Sequence, residues 1–166
     1  MPCASLLPPA LIALIDKGVS VIASSRSLAN RPSIMRAVGC AISPDGRRVT
    51  IYVSRRQSRQ LVQDVAATGA IAVVFSEPFS HRTVQLKAGV ASIRQAEPAD
   101  EALLARYLAS MEREIQQVGF DPPFTRAMLA WQLDDLLAIS FEPAQAFDQT
   151  PGPRAGEALP PRAAQP

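Results

Sequence analysis

Asp45 and Gly46 stand between two apolar stretches, IMRAVGCAI (residues 34–42) and RRVTIYVS (residues 47–54), and constrain the fold more than any other feature of the chain. An Asp-Gly pair between alternating hydrophobic runs supplies the backbone freedom that a tight turn between antiparallel strands needs. The spacing therefore predicts a long hairpin over residues 34–54. A doubly wound parallel sheet would instead place a helix between most successive strands. Alternation in the second arm sets Val49, Ile51 and Val53 on one face and Thr50, Tyr52 and Ser54 on the other, with one of the two facing the core.

The flanking segments extend this picture. Pro8 and Pro9 open a short helical pattern (Leu11, Ile12, Leu14, Ile15) that Gly18 ends, and VSVIAS, residues 19–24, reads as a strand. After the hairpin, Ser58 is a natural N-cap for a helix through Leu61, Val62 and Val65 to Gly69. AIAVVF, residues 70–75, is a continuous apolar run of the kind a buried strand carries, and residues 81–94 form another strand with a bulge at Gly89. In it Thr83, Gln85 and Lys87 share one face, and Val84 and Leu86 the other. From Pro98 the period changes to 3.6: Leu104, Tyr107, Leu108, Met111, Ile115 and Val118 make the apolar stripe of an amphipathic helix that ends at Gly119. A shorter helix over 125–131 and a strand over 136–142 complete a single domain spanning residues 1–148. Residues 149–166 are rich in Pro, Gly and Ala and read as a mobile tail. About six strands with short antiparallel connections predict a mainly β, α+β protein: an antiparallel β-barrel with peripheral helices.

Net charge is only +2, but it is unevenly distributed. Residues 1–94 hold 12 Lys/Arg against 4 Asp/Glu, whereas residues 95–166 hold 5 against 11. Arginine supplies 15 of the 17 cations, and its planar guanidinium suits bidentate recognition of phosphate or carboxylate. An anionic ligand is the first expectation. No apolar run reaches membrane-spanning length, and the first residues lack the pattern of an export signal, so a soluble, cytoplasmic protein is expected. Cys3 and Cys40 have no metal-ligand spacing and form no disulfide framework; Cys40 reads as a small buried hydrophobe.

The densest positive charge is SRRQSRQL, residues 54–61, where a strand hands over to a helix. A nucleic-acid contact, a phosphate cradle and a solvated turn all compete to explain it. Nucleic acid would call for more lysine and for stacking aromatics, of which only Tyr52 is near, so no nucleic-acid partner is expected. A helix N-terminus is a ready anion site, with unpaired N–H groups and the positive end of the dipole. Ser58 and Arg59 would sit there, with Ser54 at the end of the incoming strand.

Residues 54–88, SRRQSRQLVQDVAATGAIAVVFSEPFSHRTVQLKA, resemble the core of the pyridoxamine 5′-phosphate oxidase-like family, the FMN-binding split β-barrels. In that family a strand ending in Thr or Ser leads through a short loop to an S-R-K triplet at a helix start. An apolar strand follows, and then an R-Q dipeptide that opens the next one. Ser54 matches the first hydroxyl, Ser58 and Arg59 the first two members of the triplet, and Arg82 the Arg of the dipeptide. Gln60 stands in place of the triplet's Lys and Thr83 in place of the dipeptide's Gln. Arg36 is the candidate equivalent of the Arg in the family's earlier R-x-V-x-L-K strand.

The resemblance implies a split β-barrel homodimer with FMN at the subunit interface, and a flavin-dependent oxidoreductase acting on a small molecule. The cofactor-binding candidates are Arg36, Ser54, Ser58, Arg59, Gln60, Arg82 and Thr83. No side chain is assigned as a catalytic acid or base and no metal ligand is expected, since the flavin carries the redox chemistry. The Arg-rich substrate motif that follows a Trp in pyridoxamine 5′-phosphate oxidase itself has no counterpart after Trp131, so oxidation of pyridoxamine phosphate is not expected.

Two other readings stay open. His81, the single histidine, would serve as a base, as a neighbour of the flavin or as axial ligand in a haem-binding split barrel, or it is an ordinary loop residue at a strand entrance. A cofactor-free ligand-binding or interaction module that kept the fold would account for Gln60 and Thr83. Ala37, Gly39 and Ala41 form a face of small side chains that either a packed helix or a flavin ring could approach. Asp134 and Asp135 read as exposed turn charge.

Overall fold

The structure, a computed structural model, describes residues 7–160. Nine strands and four α-helices follow in the order α1 (Pro9–Lys17), β1 (Ser20–Arg26), β2 (Pro32–Arg36), β3 (Gly39–Ile42), β4 (Val49–Ser54), α2 (Arg59–Thr68), β5 (Ile71–Ser76), β6 (Thr83–Ala88), β7 (Ala91–Gln95), α3 (Glu101–Gln117), α4 (Pro122–Met128), β8 (Leu136–Phe141) and β9 (Gln145–Asp148). They form two antiparallel sheets, one of five strands in the order β2-β1-β5-β6-β9 and one of four in the order β3-β4-β8-β7.

The expected hairpin is present but shorter than its apolar runs. β3 pairs with β4 from Gly39 opposite Tyr52 to Ile42 opposite Val49. Asp45 organises the turn, its carboxylate accepting from Ser43 Oγ at 2.5 Å and from the Arg47 N–H at 3.1 Å. The first arm, read as one strand over 34–42, is two strands in different sheets. The switch takes two residues: the N–H of Ala37 donates to Val21 in the five-stranded sheet, and that of Val38 donates to Tyr52 in the four-stranded one. A second switch divides residues 81–94, where the expected bulge at Gly89 is a corner between β6 and β7. A carbon on Gly69, at φ +71°, would lie 2.7 Å from the Gly89 carbonyl, so glycine is what allows the end of α2 to approach this corner.

The inner faces of both sheets meet in one core. Val21, Ala23, Val73, Phe75, Val84 and Leu86 from the larger sheet join Val49, Ile51, Val53 and Ile139 from the smaller. β5, expected to be buried throughout, alternates instead: Ile71, Val73 and Phe75 are buried and Ala72, Val74 and Ser76 only half-buried. In β4 both faces are covered: Tyr52 is buried as well as Val53, and its hydroxyl meets Asp100 just before α3, the helix that packs on the neighbouring β3. Leu104, Tyr107 and Met111 of the expected stripe face inward on α3, joined by Ser110, whose hydroxyl donates to the Gly18 carbonyl. α4 begins earlier than the pattern suggested, at Pro122, after Asp121 accepts the Phe124 N–H at 3.3 Å. β9 was not visible in the sequence. The segment after it, expected as a free tail, folds back as far as Leu159, whose N–H donates to Ala146.

Among the described residues, no helix is long and apolar enough to cross a membrane. Cys3 lies outside the described residues. Cys40 is buried, and burial pushes its thiol up to about 12. In a Cys3→Ser background, Cys40 should therefore stay unreactive toward Ellman's reagent at pH 8 until the protein is unfolded; stoichiometric reaction of the native protein would contradict this burial.

Candidate functional site

The sequence candidates fall into two groups, one in each sheet. The first is the turn from β4 into α2. Ser54 ends β4, and its carbonyl accepts the Ser58 N–H at 2.9 Å, closing the turn. Its hydroxyl donates to Asp135 at 2.5 Å and accepts the Gln57 N–H at 3.2 Å. Asp135 ends a 3₁₀ turn, Leu133–Asp135, immediately before β8. The register of β4 on β8, with Ser54 opposite Leu136, brings Asp135 onto the turn. Its carbonyl accepts the Arg55 N–H at 2.7 Å, and its Oδ1 accepts the Arg56 N–H at 3.2 Å and lies 3.6 Å from Arg56 Nε. Exposed turn charge describes Asp134 alone; Asp135 is a structural partner of the arginine turn.

The three arginines of this stretch are thereby separated. Arg55 bonds Gln95 and Arg56 is engaged by Asp135, whereas the Arg59 guanidinium has no partner among the described residues. Gln60 donates to Asp64 at 2.9 Å, and the same buried carboxylate accepts from Ser33 at 2.6 Å, so the residue replacing the expected Lys braces α2 against β2. Ser58 occupies the predicted N-cap position but its side chain makes no capping bond. It is 2% exposed, and its hydroxyl has no hydrogen-bond partner among the described residues. An unpaired buried hydroxyl costs about 1–3 kcal/mol, which a bound acceptor would recover. At the start of a ten-residue helix, beside a free guanidinium, the group that fits is an anion with several oxygens.

The second group lies on the outward face of the five-stranded sheet. Arg36 donates to Ser20 at 2.8 Å. Ser20 is opposite Ser76, and Ser76 is opposite Thr83. The Ser76 and Thr83 hydroxyls are 2.7 Å apart, which completes a polar row across β2, β1, β5 and β6. Arg82 and Thr83 also line a cavity of about 490 Å³ with Thr150 and Arg154. The folded-back segment helps to build it: the Thr83 N–H donates to Thr150 Oγ1 at 3.0 Å and the Gln149 N–H donates to the Thr83 carbonyl at 2.9 Å. Among the described residues, no hydrogen bond or ion pair joins Arg36, Arg82 or Thr83 to the β4–α2 turn.

Two clusters that the sequence reading missed hold the surroundings in place. Glu77 accepts from Ser80 and binds the loop through its N–H and carbonyl, to Arg82 and His81 respectively. Lys17 bridges it at 2.5 Å and also pairs with buried Glu114 of α3. These two carboxylates hold Lys17 above the usual lysine value, Glu114 contributing most, and Lys17 in turn holds Glu77 below the usual carboxylate range. His81 sits in this loop, exposed and in left-handed backbone at φ 60°. The second cluster is on the outer face of the four-stranded sheet. Arg94 grips Asp100 through two bonds of 2.7 and 2.8 Å, and Tyr52 donates to the same carboxylate at 2.7 Å. The small-residue face is settled by the same helix: a carbon on Gly39 would lie 2.5 Å from Leu104 Cδ2, so α3 is what packs there.

No protein-family model and no curated protein matches the sequence. Solved structures do match in shape. An F420 reductase superposes with a TM-score of 0.56 at 15% identity, over 84% of this chain and 98% of its own. A candidate pyridoxamine 5′-phosphate oxidase from Lactobacillus delbrueckii gives 0.54 at 11% identity, over 85% and 93%. A pyridoxamine 5′-phosphate oxidase-related, FMN-binding protein from Nostoc punctiforme gives 0.50 at 10% identity, over 89% and 87%. At these identities the likeness is one of fold: the chain has the split β-barrel fold that these structures share.

Proposed function

We propose that this split barrel binds FMN, with the phosphate at Ser58 and Arg59, and serves as a cytoplasmic flavin-dependent oxidoreductase of a small molecule. The observation that carries the proposal is the Ser58 hydroxyl, buried at the head of α2 beside the Arg59 guanidinium, both without a partner among the described residues. Bound flavin would supply the hydride or electron transfer. The chain's part is to hold and orient the cofactor. Ser58 donates its hydroxyl to a phosphate oxygen, Arg59 adds a charge-assisted bond, and the first N–H groups of α2 face the same anion. Arg36, Arg82 and Thr83 form the other side of the proposed site, with Arg82 as the second cation. Gln60 is engaged by Asp64 and acts as a support for the helix, and Ser54, at the edge of the proposed site, is held by Asp135 within the chain.

The proposed assembly is a homodimer. On the outward face of the five-stranded sheet Ile34 of the edge strand β2 is 70% exposed, and Ile22, Val74 and Phe147 of β1, β5 and β9 are only half-buried. Arg36 and Thr83 share that face, so a second copy seated on it would bring a β4–α2 turn within reach of them. Such an arrangement accounts for two groups of candidates that no hydrogen bond or ion pair joins among the described residues of one chain.

The test is the absorption spectrum of the purified protein before and after adding FMN and removing the excess. Two flavin bands retained at one equivalent per chain are expected. A Soret band would transfer the site to haem and to His81, and a colourless protein that ignores FMN would leave a binding module without this cofactor.

A further inference from the structure

The β4–α2 turn already holds an anion, and the chain itself supplies it. Asp135, 81 residues away in sequence, takes the Ser54 hydroxyl at 2.5 Å and the Arg56 N–H at 3.2 Å, with Arg56 Nε 3.6 Å from Oδ1. A hydroxyl, a backbone N–H and a guanidinium nitrogen converging on carboxylate oxygens are the donors that a phosphate takes at the end of a strand. The Ser58 hydroxyl and the Arg59 guanidinium, which follow in the same turn, are left without partners among the described residues. The turn thus offers more donors than one carboxylate satisfies. A phosphate that enters at Ser58 and Arg59 meets a fixed negative charge on the neighbouring donors.

We propose that Asp135 is an internal competitor for the anion site: its carboxylate holds Ser54 and the Arg56 backbone until a ligand phosphate displaces it, and so sets the affinity of the site. The proposal rests on the FMN reading for the identity of the ligand, though its electrostatics apply to any phosphate. Asp134 provides an internal control, since it carries the same charge one residue away and no hydrogen bond or ion pair joins its carboxylate to the turn among the described residues. A competitor and a brace are told apart by sign. Removing a brace weakens binding, whereas removing a competitor strengthens it.

The experiment compares the full-length protein with Asp135→Asn and Asp134→Asn. FMN and riboflavin are titrated by quenching of flavin fluorescence, and inorganic phosphate by its effect on the melting temperature. Neutralising one charge within a few ångströms of the ligand should tighten FMN binding about tenfold in Asp135→Asn. Riboflavin, which lacks the phosphate, should bind as before, and Asp134→Asn should match the unsubstituted protein. FMN affinity that falls or stays level in Asp135→Asn would overturn the proposal and make Asp135 a brace. If no form of the protein binds FMN, the flavin reading fails but the competitor is still tested: phosphate should then stabilise Asp135→Asn more than Asp134→Asn, and equal stabilisation would overturn it. Asp135→Ser, which keeps a hydroxyl to meet Ser54, serves if the asparagine variant does not fold.

Discussion

Replacing Arg59 by alanine is expected to weaken FMN binding by about 10- to 100-fold, to leave riboflavin binding unchanged and to leave the melting temperature where it was. The magnitude follows from a charge-assisted hydrogen bond, worth about 1.5–3 kcal/mol when one partner is removed. The selectivity follows from position. Arg59 is the first residue of α2, exposed, with no hydrogen bond or ion pair among the described residues. An exposed side chain without partners contributes within about 0.5 kcal/mol to stability, so the fold gives no reason for keeping an arginine there. Arg56→Ala is the informative comparison, since that arginine is held by Asp135 and should affect the turn more than the ligand. Paired titrations of FMN and riboflavin read the result. Equal loss for both ligands would place Arg59 at the ring rather than the phosphate, and no loss for either would remove it from the site.

Local chemistry was what the sequence disclosed best. The Asp45–Gly46 turn, the end of α1 at Gly18 and the end of α2 at Gly69 each depend on a few adjacent residues, and each is where the spacing predicted. The point at which a strand changes sheets is different. Residues 34–42 stay apolar through Ala37 and Val38 because both sheets border the same core, so hydrophobicity carries no mark of the crossing. β4 shows the related difficulty: its outer face alternates as a solvated one would, yet Tyr52 is buried and bonds Asp100, 48 residues away and just before α3. The same holds at the site. Ser58 and Arg59 were identifiable from a motif at a helix start, but Asp135 looked like solvated turn charge, since its partner Ser54 is distant in sequence and is reached only through the pairing of β4 with β8. Gln60 was legible as a departure from the triplet; that it braces Asp64 depends on the packing of α2 against β2.

Asp100→Ala should be the most damaging polar substitution on the outer face of the four-stranded sheet, costing about 2–4 kcal/mol. Asp100 joins three elements: it takes two bonds from Arg94 of β7, one from Tyr52 of β4 and one from the Glu97 N–H at 2.8 Å, just before α3. The Arg94 side chain is 46% exposed, so solvent screens that pair and its share is modest. Most of the loss comes from the Tyr52 hydroxyl, left without an acceptor in a residue 2% exposed, and from the cap at the helix entrance. Asp100→Asn should cost less, because the amide still accepts from Tyr52. The pH dependence separates this account from simple loss of packing. Arg94 holds the Asp100 carboxyl well below the usual range, so its contribution is complete above the unfolded aspartate value of about 4 and is lost as pH falls toward the lower folded value. Urea midpoints should therefore differ most between the two proteins at neutral pH and converge as the pH is lowered below about 4, with m unchanged. On the alkaline side, burial first and then the Asp100 hydrogen bond push Tyr52 up to about 12. The unsubstituted protein should accordingly lose stability as pH rises from about 10 toward 12. Asp100→Ala should show a shallower decline there, having already lost the second of those two causes. A difference between the proteins that stayed constant from pH 7 to pH 3 would mean that Asp100 acts through its shape and not its charge.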